Sequence, residues 1–63
     1  SKMVSVCNGL YVVCSEQING VVTSGITYEV LYTTELNDEI YYELENDKGE
    51  YISINSKYFK EVL

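Results

Sequence analysis

The residue types that ordinarily do chemistry are thinly supplied in this chain. There is no histidine, so neither a Ser-His-Asp nor a Cys-His arrangement can be assembled around an activated nucleophile. Cys7 and Cys14 are the only two cysteines, and without histidine partners they cannot complete the usual four-ligand zinc site. Gly20 and Gly25 lack the spacing by which a glycine-rich loop cradles a phosphate. Asp38-Glu39 and Asn46-Asp47 offer oxygen ligands, yet the calcium-loop pattern, with its central glycine and terminal glutamate, is missing. Turn carboxylates that cap backbone amides are the plainer reading of both pairs. Glu43 and Glu45 would serve acid–base work only inside a cleft that shifts their pKa values, and on an exposed strand they are solvated charges. The sequence therefore predicts no catalytic residue, no metal site and no cofactor. It reads as a protein that is not an enzyme.

Composition narrows the remaining classes. The chain has 63 residues, enough for one domain over residues 1–63 with a simple core and short loops. It is 46% hydrophobic, too apolar for a disordered segment. Tyrosine, valine, isoleucine and threonine dominate, which suits pleated sheets, and alanine, the best helix former, is absent. The net charge is −6 from ten acids against four lysines. A direct nucleic-acid binder needs cations to displace phosphate counterions, and adhesion to anionic membranes needs them too; neither is expected here. No apolar run reaches the roughly 18–20 residues of a membrane span, and no signal-peptide pattern is read. The expectation is a cytoplasmic protein whose cysteines stay reduced and pack as small hydrophobes. A Cys7–Cys14 bridge stays open if residues 8–9 turn a hairpin.

The elements are set out by turn residues: Asn8-Gly9, Asn19-Gly20, Ser24-Gly25, Asn37-Asp38 and Asn46-Asp47-Lys48-Gly49. The clearest element is a hairpin from Glu39 to Ile54. Side chains alternate faces along a strand, so Ile40, Tyr42, Leu44, Ile52 and Ile54 point inward, while Glu39, Tyr41, Glu43, Glu45, Tyr51 and Ser53 point outward. Its turn fits a type I turn closed by Gly49 in the left-handed region, a G1 bulge. Thr27–Tyr32 is a further strand with Tyr28, Val30 and Tyr32 on one face. Leu10–Cys14 is another, with Val12 and Cys14 opposite Tyr11 and Val13, and Val4–Cys7 is a short strand or an extended lead-in. Ile18, Val21 and Val22 anchor the segment between Cys14 and Thr27. Residues 55–59 form one 3₁₀ turn with Ser56 as its cap. Lys60–Leu63 is a last short strand, with Phe59 and Val62 toward the core.

That order, and two stretches in it, resembles the small SH3-like β-barrel proteins of phages and bacteria. Ser24-Gly25-Ile26-Thr27-Tyr28-Glu29-Val30-Leu31 is similar to their x-G-x-x-Y-x-V opening. Asn46-Asp47-Lys48-Gly49-Glu50 followed by Ser56-Lys57-Tyr58-Phe59 is similar to their N-D-x-G-E … x-S-x-Y-F ending. The resemblance covers residues 10–63 and implies an all-β, five-stranded SH3-like barrel with a 3₁₀ turn before the last strand. It also implies a phage or prophage origin, in which such proteins inhibit or redirect a host factor. The stretch before the ending, Tyr51-Ile52-Ser53-Ile54-Asn55, has neither Trp nor Pro, so a proline-peptide groove is not implied.

With chemistry set aside, the surface carries the expectation. Tyrosine buries much area at little entropic cost, and there are seven. Tyr28, Tyr32 and Tyr42 are read as core, and Tyr11, Tyr41, Tyr51 and Tyr58 as exposed. The expected function is a non-enzymatic protein-interaction module, an inhibitor or modulator of a host protein with a basic surface. Its binding residues are Tyr41, Glu43, Glu45 and Tyr51 on the outward hairpin face, with the 15–26 loop (Glu16, Gln17 and Asn19) as the alternative location. The second reading is an acidic nucleic-acid mimic that blocks a DNA- or RNA-binding protein.

Overall fold

The computed structural model describes the backbone of residues 4–62 and the side chains of residues 9–62. The strands are β1 (Val4–Cys14), β2 (Thr27–Leu36), β3 (Glu39–Glu45), β4 (Tyr51–Asn55) and β5 (Phe59–Glu61), with one 3₁₀ turn, Ser56–Tyr58, between β4 and β5. All five join one antiparallel sheet in the order β4-β3-β2-β1-β5. The fold is all-β, as composition and turn spacing predict. The sheet is open: β4 and β5 are its two edges, and no ladder joins them.

The sheet is nevertheless strongly curled. Phe59 on β5 and Tyr42 on β3 have ring centroids 5.9 Å apart. Their strands stand three places apart in the sheet, about 14 Å if it were flat. Curling brings Val12, Cys14, Val22, Tyr28, Val30, Tyr42, Leu44, Ile54 and Phe59 into one core. Phe59 joins it edge-on to both Tyr28 and Tyr42.

Two turns do what their residues suggest. Gly49 has φ +78°, and its N–H donates to the Asn46 carbonyl at 3.0 Å while Asn46 N–H donates to the Glu50 carbonyl at 2.8 Å. Asn37 and Asp38 both take positive φ, 52° and 66°, giving a two-residue connection between Leu36 and Glu39, a conformation that Asn and Asp tolerate better than other side-chain-bearing residues.

Several expectations are corrected. Asn8-Gly9 is not a turn. It lies inside β1, where the pairing slips between Cys7 and Leu10, so Val4–Cys7 and Leu10–Cys14 are one bulged strand. A bulge accommodates an extra residue while the chain runs on, which removes the hairpin that a Cys7–Cys14 bridge would need. Cys14 is a free, buried thiol; the side chain of Cys7 lies outside the described residues. The cap of the 3₁₀ turn is Asn55 rather than Ser56, its side-chain oxygen accepting from Lys57 N–H at 2.9 Å. Val62 is 46% exposed and lies beyond the last residue of β5, Glu61. Ile40 is 40% exposed. It keeps the inward parity of β3 but sits near the turn end of that strand, past the reach of the core. Tyr58 is half-buried against the core rather than exposed.

Tyr32, a core residue by alternation, is 43% exposed. Directly opposed residues of an antiparallel pair share a face. Val30 pairs with Leu10 and Tyr28 with Val12, all toward the core. Tyr32, however, pairs with Glu43, and Thr33 with the buried Tyr42. The core-facing parity of β2 therefore passes from even positions to odd between Val30 and Thr33, level with the β1 bulge. Alternation read straight through that point assigns Tyr32 to the wrong side.

Candidate functional site

The outward side chains of the β3–β4 hairpin stand in register. Tyr41 is opposite Asn55, Glu43 opposite Ser53, and Glu45 opposite Tyr51. β2 adds a third row, with Tyr32 beside Glu43 and Thr34 beside Tyr41. Tyr41, Glu43, Glu45 and Tyr51 thus lie on one face. Glu43, Glu45 and Tyr51 are exposed, Tyr51 at 65%, and Tyr41 is half-buried. No cation stands opposite Glu43 or Glu45 in either ladder. Glu39 at the end of the same strand accepts a hydrogen bond from Asn55 Nδ2. The face combines aromatic area with negative charge that no cation opposes in the two ladders.

Tyr32 belongs to this face and was missed by alternation. The signal that finds it is the Asn37-Asp38 turn. Counting back in step from a two-residue connection sets Leu36 against Glu39 and Tyr32 against Glu43.

The same surface continues into a groove. The β2–β3 ladder ends at Tyr32↔Glu43. Beyond it, Thr27–Val30 of β2 pair only with β1, and Leu44 and Glu45 of β3 pair only with β4. The parting strands leave an open groove of about 360 Å³, walled by Thr27, Glu29 and Leu31 on one side and by Glu45 and Tyr51 on the other. Tyr28 and Asn46 also line it. Asn46 is buried and occupied with the turn: its Oδ1 accepts the N–H groups of Lys48 and Glu50, each at 2.9 Å, and its Nδ2 donates to Glu50 Oε1. Tyr28 donates through its hydroxyl to Asp47. Burial, and then that bond, raise its pKa above the ordinary tyrosine range. The Asp47 carboxyl is held below its ordinary range by hydrogen bonds from Thr23 and Tyr28.

The alternative location is mostly self-satisfied. In the 15–26 segment Gln17 Nε2 donates to Asn19 Oδ1 at 2.7 Å, and Gln17 Oε1 accepts from Ser24 N–H. A small antiparallel bridge, Ile18 with Val22, closes the loop. Glu16 is exposed. Polar side chains engaged within their own loop are less available to a partner than the hairpin carboxylates.

Among the described residues no group of three His, Cys, Asp or Glu side chains could hold a metal ion, and no helix is long and apolar enough to cross a membrane. Comparison with known proteins finds no matching family model, no similar curated protein and no similar solved structure.

Proposed function

We propose that this chain is a non-enzymatic interaction module that acts by occupancy, covering a basic surface on a protein partner. The observation that carries the reading is the shared face of Tyr32, Tyr41, Glu43, Glu45 and Tyr51, with no cation opposite its central carboxylates. Aromatic side chains provide burial at low entropic cost, and the glutamates steer a basic partner and reject acidic ones. Carboxylates gathered on one hairpin repel each other and weaken the fold slightly, a burden that a cationic partner relieves.

The fold reading within this proposal is an SH3-like barrel. It is supported by the curl that brings Phe59 against Tyr42, by the first strand pairing with both the second and the last, and by the 3₁₀ turn immediately before the last strand. The resemblance of residues 24–31 and 46–59 to phage and bacterial SH3-like proteins supports a phage-encoded modulator of a host protein. The low cysteine count suits a reducing, cytoplasmic setting.

The experiment is affinity capture from host lysate at low and high salt, with parent, Tyr41→Ala and Glu43→Lys as bait. Both variants keep the core and should stay folded. Each should weaken capture of the parent's partner about tenfold, or about 1.4 kcal/mol. Parent-like capture by both would move the site to the 15–26 loop. The nucleic-acid mimic is the second reading, favoured by Glu39, Glu43 and Glu45 recurring along the outward side of one strand. Alternate strand residues are about 6.6 Å apart, close to two phosphate steps of a DNA strand. A captured nucleic-acid-binding protein, released steeply by salt and displaced by DNA or RNA, would select it.

A further inference from the structure

The groove between β2 and the β3–β4 hairpin has the chemistry of a receptor for one side chain. Its two walls come from strands whose mutual ladder has ended, so they are held apart by their other partners, β1 on one side and β4 on the other. The cleft is therefore built mainly into the sheet, with Asn46 of the β3–β4 turn also in its lining. Each wall carries a carboxylate: Glu29 from β2 and Glu45 from β3. Both are exposed, and the cross-strand neighbour of each is a tyrosine, Tyr11 for Glu29 and Tyr51 for Glu45. Tyr11 and Tyr51 are themselves among the exposed large side chains. Leu31 adds apolar wall and Thr27 a hydroxyl.

Two carboxylates in one groove lining give it a negative potential that favours a cation. The exposed Tyr51 ring in the same lining attracts that charge through its face, and an aliphatic stem finds Leu31 to lie against. An anion would meet like charge on both walls. A neutral apolar group would leave both carboxylates without a partner.

We propose that this groove receives a lysine or arginine side chain of the protein partner, with Glu29 and Glu45 clasping its charge and Tyr51 flanking it. The inference deepens the interaction-module reading and rests on it: the hairpin face supplies the contact area, and the groove supplies the point of registration. An arginine guanidinium, planar and able to bridge two carboxylates, suits the site better than the compact lysine ammonium.

The test is a titration of the full chain with N-acetyl-arginine amide, followed by amide chemical shifts, against the neutral isostere N-acetyl-citrulline amide. Saturable shifts centred on residues 27–31 and 45–51, seen with arginine and absent with citrulline, are expected. Glu29→Gln with Glu45→Gln should weaken that binding roughly tenfold. Glu39→Gln with Glu43→Gln removes the same charge outside the groove and should weaken it far less. Equal shifts from citrulline, no saturable shift with arginine, or equal loss in the two double variants would overturn the assignment. The two failures separate cleanly. Tyr41→Ala and Glu43→Lys releasing the partner while the groove pair binds arginine like the parent would sink the groove and leave the module reading intact. Arginine bound in the groove of a chain whose partner ignores Tyr41 and Glu43 would leave the groove standing and sink the hairpin face.

Discussion

The Tyr28 hydroxyl donates to Asp47 Oδ1 at 2.6 Å, joining residues 19 positions apart. Thr23 completes the triangle: its Oγ1 donates to Asp47 Oδ2 at 2.6 Å, and its N–H donates to the Tyr28 hydroxyl at 2.8 Å. Asp47 N–H in turn donates to the Val21 carbonyl at 2.9 Å. The β3–β4 turn is thereby docked onto the 15–26 segment, next to the groove that Tyr28 and Asn46 line.

This triangle makes stability sensitive to acid. Bonds from Thr23 and Tyr28 favour the ionised carboxylate and lower the pKa of Asp47 in the folded protein. A group whose folded pKa is depressed contributes stability above its unfolded value, about 3.9 for aspartate, and loses it as pH falls through the folded value. Asp47→Asn should therefore be less stable than the parent at neutral pH, and the gap should narrow as pH drops below about 4. Denaturant midpoints at several pH values measure this. A gap of constant size across that range would show that Asp47 ionisation is not linked to folding.

Gly49→Val should lower the denaturation midpoint by the equivalent of about 1 kcal/mol or more. Gly49 sits at φ +78°, where a β-branched residue is strained. A Cβ there would also lie 3.4 Å from Glu45 Oε2, a contact the long glutamate side chain can relieve, so the backbone strain dominates. An unchanged midpoint would refute the strain argument.

Cys14 should resist alkylation in the native protein and react once the protein unfolds. Its thiol is buried and donates to the Glu16 carbonyl at 3.3 Å, and burial, the largest influence, raises its pKa above the ordinary thiol range. The thiolate is the reactive form. Mass spectrometry after timed exposure to iodoacetamide, with and without denaturant, checks the expectation. Fast native labelling would mean that the β1 end opens readily.

Phe59→Leu should destabilise by about 1–3 kcal/mol, the loss of two edge-on aromatic contacts, to Tyr28 at 6.0 Å and Tyr42 at 5.9 Å. Thermal denaturation followed by circular dichroism reads it. A much smaller loss would show that Phe59 acts only as apolar filler and that the geometry with the tyrosines carries little energy.

What the sequence determined by itself is the part that local chemistry controls. Glycine at position 49 reads as a left-handed turn residue because only a residue without Cβ adopts positive φ at little steric cost, and the Asn46–Gly49 turn has that geometry. Alternation assigns Tyr42, Leu44 and Ile54 to the core and Glu43, Glu45 and Tyr51 to the outside because side chains on one uninterrupted strand must alternate. Four of the five residues of the outer face were legible in this way. Tyr32 was not, since the core-facing parity of β2 changes between Val30 and Thr33, where the β1 register slips and β3 joins as a second partner, and alternation along one strand carries no information about that. Ile40 and Val62 have core-like types and parity, yet whether a position is covered depends on where neighbouring strands stop. Asn55 rather than Ser56 caps the 3₁₀ turn for a related reason, because the backbone path out of β4 decides which side chain reaches Lys57 N–H. The groove is tertiary altogether. It exists because β2 and β3 part after Tyr32 and Glu43, and it sets Glu29 and Glu45, sixteen positions apart in the chain, on facing walls. Composition could say that the carboxylates outnumber the cations; only the tertiary structure decided which of them line one groove.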